Sequence, residues 1–224
     1  MDVMALRRRI LAAGADLPPM YKRADYLQTT GYNSRIDTGV PGNDETLVFD
    51  FDYAVITRQS YGQIFGNYVN ENTRCWRLIN PSGTGAARNY IVTAFNRRAG
   101  ASTGIIAVAE NKSIIGTRVN FVISNGAATA NSADFTREST YASDGTQTIS
   151  DQNIAIGAGF TTQSGGSMVG RFWHFKIWSQ DELIRDYVPC VRIRDNIAGF
   201  YDRVNNTFHP STGSAQFIAG YDDA

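Results

Sequence analysis

Lysine is nearly absent from this chain of 224 residues: three positions carry it, so the 21 basic side chains are almost all arginine. Asp and Glu also number 21, for a formal net charge of +0. Without a surplus of clustered positive charge the chain lacks what a protein needs to neutralise a nucleic-acid backbone, and nucleic acid is excluded as its main partner. Cysteine occurs only as Cys75 and Cys190, and histidine only as His174 and His209. Neither cysteine has a second Cys or a His at metal-ligand spacing, so no zinc site is expected; a lone distant pair is no disulfide framework and reads as two buried thiols. Long hydrophobic runs are missing as well. Arg, Asp, Asn or Gly interrupts every apolar segment before it reaches membrane-spanning length, and no membrane partner is expected. Arg7, Arg8 and Arg9 precede an apolar stretch at 10–15 that stops at Asp16, shorter than the core of an export signal, which predicts that the chain is not exported by that route. No internal repeat is visible, which excludes a propeller or a solenoid.

What is present points to short strands. Residues 2–13 read as a short helix, with Val3, Leu6 and Ile10 at helical spacing, closed by Leu17, Pro18 and Pro19. After residue 20 there is no long amphipathic helix. Period-two alternation takes over and is clearest at 46–53, where Leu47, Phe49, Phe51 and Tyr53 share one face and Val48, Asp50 and Asp52 the other. Further strands are predicted at 63–65, 90–95, 105–109, 118–123, 154–158, 171–178, 197–201 and 207–208, with a weak one at 134–137 in a polar stretch running from 124 to 152. Gly, Asn, Ser and Asp clusters separate them, as turns require. The economical parse is an anchor segment over 1–23 and a single all-β, antiparallel β-sandwich over 24–224 with a short N-terminal helical extension.

The ends of the sandwich carry motifs. Tyr26, Leu27, Gln28, Thr29, Thr30 and Gly31, followed by Ile36, Asp37, Thr38 and Gly39, form one. Phe172 to Trp178 leading into Leu183, Ile184, Arg185, Asp186, Tyr187, Val188, Pro189 and Cys190 form a second; Gly199, Phe200, Tyr201 and Asp202, then Asn205, Asn206, Thr207 and Phe208, then Gly213 to Phe217, complete the set. Together they resemble the laminin-G-like or concanavalin-A-like jelly-roll domains of tailed phages and prophages of gut bacteria. The resemblance covers about residues 24–220, with Asn33, Arg35 and the pair His209 and Pro210 departing from the usual pattern. It implies a concanavalin-A-like jelly roll in a virion structural protein: capsid decoration, head fibre or tail-fibre accessory, assembled in the host cytoplasm beside other capsid or tail proteins. By the same analogy the chain is a homo-oligomer, a trimer as first guess. The other reading is a bacterial surface carbohydrate-binding or adhesion module.

Read by themselves, the motif residues are structural. Asp37 and Thr38 before Gly39 suit a strand end entering a turn, and Gly199 before Phe200 suits close backbone packing. His174 reads as a hydrogen-bonded strand residue.

Catalysis finds little material. A glycoside hydrolase needs two carboxylates flanking one bond, and Asp50 with Asp52 is the one pair on a shared strand face. The two-Glu glycosidase pattern is absent, as are a nucleophile elbow and a phosphate loop, so the chain is read as non-enzymatic with no catalytic residue. Calcium through Asp151 and Asn153, or Asp144, is outweighed by ordinary turn chemistry, and no metal or other cofactor is expected. For glycans, Tyr61, Tyr68, Asn70, Asn72 and Trp76 cluster in one segment, with core or rim packing as the alternative for Tyr61 and Trp76. The anchor, Val3, Leu6, Arg7, Arg8, Arg9 and Ile10, is expected to bury its apolar stripe in an assembly while the arginine forks meet acidic or carbonyl groups. Packing on its own sandwich is the alternative.

Overall fold

The computed structural model describes residues 17–30, 34–57, 62–69, 73, 75–80, 89–96, 104–107, 115–133, 136–140, 149–158 and 169–222. In chain order the strands are β1 (Tyr21–Arg23), β2 (Tyr26–Gln28), β3 (Ile36–Pro41), β4 (Val48–Thr57), β5 (Gly62–Gly66), β6 (Cys75–Asn80), β7 (Asn89–Asn96), β8 (Gly104–Ala107) and β9 (Val119–Ser124). They continue as β10 (Ala127–Asn131), β11 (Thr136–Thr140), β12 (Asn153–Ile156), β13 (Val169–Ser179), β14 (Glu182–Arg192), β15 (Ile197–Asp202), β16 (Thr207–Pro210) and β17 (Ile218–Gly220). The large sheet runs β11-β10-β9-β4-β13-β14-β15-β16, with β1, β2 and β17 attached, and the small sheet runs β3-β12-β5-β6-β7-β8. Every ladder is antiparallel. Early strands pair with late ones (β2 with β17, β3 with β12, β4 with β13), which is the winding of a jelly roll.

Alternation in β4 explains the core. Phe49, Phe51 and Tyr53 point inward and are buried, as is Leu47 just before the strand, while Asp50 and Asp52 face out. Phe49 and Phe51 meet Phe65 of the small sheet at 4.8 and 5.3 Å between ring centres, and Phe51 stacks on Phe175 at 4.8 Å. This aromatic layer joins the two sheets, and burying each ring fully stabilises the fold by about 1.5–3 kcal/mol.

Residues 21–23, assigned by sequence to the anchor, belong to the sandwich: β1 pairs with β14 from Tyr21↔Arg192 to Arg23↔Cys190. The reason is a wedge. β14 pairs with β13 only as far as Tyr187, and the N-terminal strands fill the gap beyond it, β1 on β14 and β2 on β13. Pro189 sits where the partner changes. Its carbonyl accepts from Ala24 N at 3.1 Å, and in an extended residue the nitrogen faces the same side, so proline forgoes no β13 ladder bond there. The predicted helix over 2–13 lies outside the described residues.

Gly39 is not at a strand end: it lies within β3 at φ 64°, its amide donating to Asp37 Oδ1 at 2.9 Å across a bulge in the β3–β12 register. Gly199 does mark a close approach, since a Cβ there would stand 2.5 Å from the His209 carbonyl oxygen. Alternation over 171–178 slips, because a bulge between Phe172 and His174 leaves Phe172, Phe175 and Ile177 inward and turns both Trp173 and His174 outward.

Candidate functional site

The outer face of the large sheet gathers the chemistry-bearing residues of β2, β4, β9 and β13. Asp50 and Asp52 project from β4 beside Asn120 of β9, whose Nδ2 donates to Asp50 Oδ1 at 2.7 Å and to Asp52 Oδ1 at 2.9 Å. Arg118 Nε donates to Asp52 Oδ2 at 2.7 Å. From β13, His174 Nε2 lies 3.3 Å from Asp50 Oδ1 and Nδ1 lies 3.9 Å from Asp52 Oδ2. Burial pushes the Asp50 carboxyl up, but hydrogen bonding and charge from His174, the Asn120 amide and the Lys176 charge outweigh it and hold Asp50 below the usual carboxylate range. A close carboxylate pair is the raw material of a retaining hydrolase, yet such an enzyme needs one member protonated at working pH. Asp50, held below the usual range, is not that protonated member.

Beside the acids runs a stack of cations and rings. The Arg118 guanidinium lies 4.7 Å from the Trp173 ring centre, Trp173 and Tyr26 are 5.6 Å apart, and the Arg171 guanidinium lies 4.3 Å from the Tyr26 ring centre. Trp173 Nε1 donates to Asp222 Oδ2 at 2.8 Å, and Arg171 Nε donates to Gln28 Oε1 at 3.1 Å. The bulge in β13 brings the indole to this face. Gly220 makes room for Tyr26, since a Cβ there would lie 2.1 Å from the ring. Trp173 had no role in the sequence beyond its place in the predicted strand at 171–178. The available signal was Trp173 and His174 side by side in a run that otherwise alternates.

The closing motifs form a second polar cluster, and it is architectural. Asp186 of β14 accepts Arg203 Nε and Nη2 on Oδ2 at 2.9 and 2.6 Å. Asp202, fully buried, accepts the Asp186 and Val204 amides on Oδ1, both at 3.1 Å, and Asn205 Nδ2 on Oδ2 at 2.7 Å. Arg185 reaches back to the Thr38 carbonyl at 3.2 Å, so the N-terminal and C-terminal motifs meet in space. Tyr187, whose hydroxyl also faces the Thr38 carbonyl at 3.4 Å, has its phenol pushed up by burial.

The segment expected to bind sugar is split by strand alternation. Trp76 is a correction: it is fully buried, edge-on to Phe49 at 5.0 Å, and offers no ring face to a ligand. Its neighbour Arg77 turns the other way and covers the half-buried Tyr68 at 4.2 Å while donating to Gln63 Oε1. Asn67, also buried, accepts Trp76 N on Oδ1 at 2.8 Å and donates to the Ser150 and Gln152 carbonyls, so that part of the segment is a clamp between β5, β6 and the loop before β12. Tyr61, Asn70 and Asn72 lie outside the described residues, as do Val3, Leu6, Arg7, Arg8, Arg9 and Ile10 of the anchor. Of the residues weighed for calcium, Asp144 lies outside them too, and Asn153 Nδ2 donates to Asp37 Oδ2 at 3.3 Å. Among the described residues no group of three or more His, Cys, Asp and Glu is placed to hold a metal ion.

No family model matches the chain, and no curated protein matches it. Among solved structures it is similar to the native heptameric SAP-like pentraxin of Limulus polyphemus, at 14% identity and a TM-score of 0.44, covering 93% of this chain and 92% of that one. A likeness that distant transfers no site residue, and what the chain is rests on its own residues: an antiparallel β-sandwich of jelly-roll winding.

Proposed function

We propose that the chain is a non-enzymatic structural protein of a phage particle, a capsid decoration, head fibre or tail-fibre accessory, assembled as a homo-oligomer and presenting a glycan-binding surface. One observation supports the non-enzymatic part: Asp50 and Asp52, the carboxylate pair weighed for hydrolysis, are both tied to the Asn120 amide, with Arg118 on Asp52 and His174 beside Asp50. The residues that bear the resemblance to phage jelly-roll domains, from Asp37 to Asp202 and Asn205, hold strands and turns together, as expected of a fold kept for its shape. Two free, buried thiols suit assembly in a reducing cytoplasm followed by release through lysis. Other virion proteins are the partners on this reading, and a trimer is the stoichiometry to test first.

Mass spectrometry of purified particles from a lysate that expresses the chain tests the proposal. Recovery in stoichiometric amount with the particle is expected. Its absence there, with recovery on the surface of the bacterial cell, would favour the adhesion-module reading.

A further inference from the structure

We infer that the outer face of the large sheet around Arg171, Tyr26 and Trp173 binds a sugar that carries one carboxylate. The inference deepens the glycan-presenting part of the proposed function and rests on it for the source of the sugar. The site itself stands on geometry.

Two of the cations on this face lie near its acids. Arg118 is paired with Asp52, and Lys176 lies close enough to Asp50 to lower its pKa. Arg171, by contrast, has no acid beside it. Among the described residues no carboxylate stands within ion-pair distance of it; Gln28 holds its Nε and Tyr26 lies beneath its plane. A guanidinium fixed through Nε and stacked on a ring keeps its terminal N–H bonds in its own plane, in the fork that matches a carboxylate. A single fixed guanidinium fork suits one carboxylate and not a polyanion, in line with the neutral chain.

The surroundings specify the rest of the ligand. The Gln28 amide and the Tyr26 hydroxyl flank the fork, beside an indole whose one N–H is committed to Asp222. They supply donors and acceptors for hydroxyl groups, and the half-buried edges of the two rings supply apolar surface for C–H groups. An ordinary solvated sheet face needs no bulge to deliver a tryptophan, and bulges that re-aim side chains cluster at sites of function.

The test uses the full chain on an array that displays sialylated and uronate-bearing glycans beside their neutral counterparts, with solution affinities from titration of N-acetylneuraminic acid and glucuronic acid. Binding of carboxylated glycans but not neutral ones is expected. Arg171→Gln should weaken it about tenfold or more, the worth of a charge-assisted bond, while the thermal midpoint stays put. Arg171→Lys should recover only part, because the fork is lost. Arg194→Gln, at an exposed turn, should change nothing. Equal retention of neutral glycans, no retention of any, or an Arg171→Gln variant that binds as the parent does would overturn the inference. Presence of the chain in particles without acidic-glycan binding would sink this inference alone, whereas such binding by a chain absent from particles would keep the site and sink the particle reading.

Discussion

Arg203 directs both Nε and Nη2 to one oxygen of Asp186, Oδ2, at 2.9 and 2.6 Å, while the Arg203 amide donates to the Asp186 carbonyl at 2.9 Å. The turn between β15 and β16 is thereby tied to the middle of β14. Asp186 is 1% exposed and Arg203 18%, so either ion left alone is an uncompensated, largely buried charge. Replacing Arg203 by Ala should destabilise the fold by about 3–5 kcal/mol, and Asp186→Ala likewise, with the double variant far less unstable than the sum. Urea unfolding of the four proteins measures this; additive losses would show that the pair is not a unit.

Trp76→Ala should cost about 3–5 kcal/mol through the cavity it opens beside Phe49. Chemical denaturation reads the loss. Carboxylated-glycan binding by the fraction still folded should equal that of the parent, because Trp76 lies in the core and the inferred site lies on the outer face of the large sheet. A stable Trp76→Ala protein with lost sugar binding would return the site to that segment.

Acid should weaken the fold partly through Asp50. A carboxyl whose pKa is lower in the folded than the unfolded protein contributes stability that is complete above the unfolded value, about 3.9, and is lost as pH falls through the folded one. Asp44, pulled up by burial but brought below its usual range by Ser179 and Thr46, adds to the same window. Asp50→Asn should therefore be less stable than the parent at neutral pH and lose less below about pH 4. Parallel curves of unfolding free energy against pH would contradict this.

Both thiols should resist modification in the native state. Burial pushes Cys75 and Cys190 up to about 12, and they sit in different sheets. A thiol reagent at pH 8 should label neither until denaturant is added and both afterwards, by intact mass. Rapid native labelling of either would contradict the burial.

Much of the fold was legible because its signals are local. The alternation of Leu47, Phe49, Phe51 and Tyr53 against Asp50 and Asp52 predicted both faces of β4, since a strand that buries one face can hold only one register. The turn between the predicted strands at 197–201 and 207–208 was legible too: Asn206 takes a φ of 53° to close the β15–β16 hairpin, a conformation asparagine tolerates. Two buried thiols, a hydrogen-bonded His174 and the tight packing at Gly199 likewise follow from residue type and neighbours.

Tertiary structure decided the rest. Whether Trp76 faces core or solvent depends on which side of β6 meets the other sheet, and nothing within its own segment sets that. Trp173 reaches the outer face only because β13 carries one extra residue against β4, and a bulge is a property of two strands together. β1 joins the sandwich because β13 and β14 splay apart, leaving room that only distant chain can fill. Arg171 has no acid beside it because Arg118, on the approach to β9, takes Asp52, and Asp50 faces His174 and the Lys176 charge. Composition fixes how many charges a chain carries, whereas which charge remains unmatched is settled only when strands far apart in sequence lie side by side.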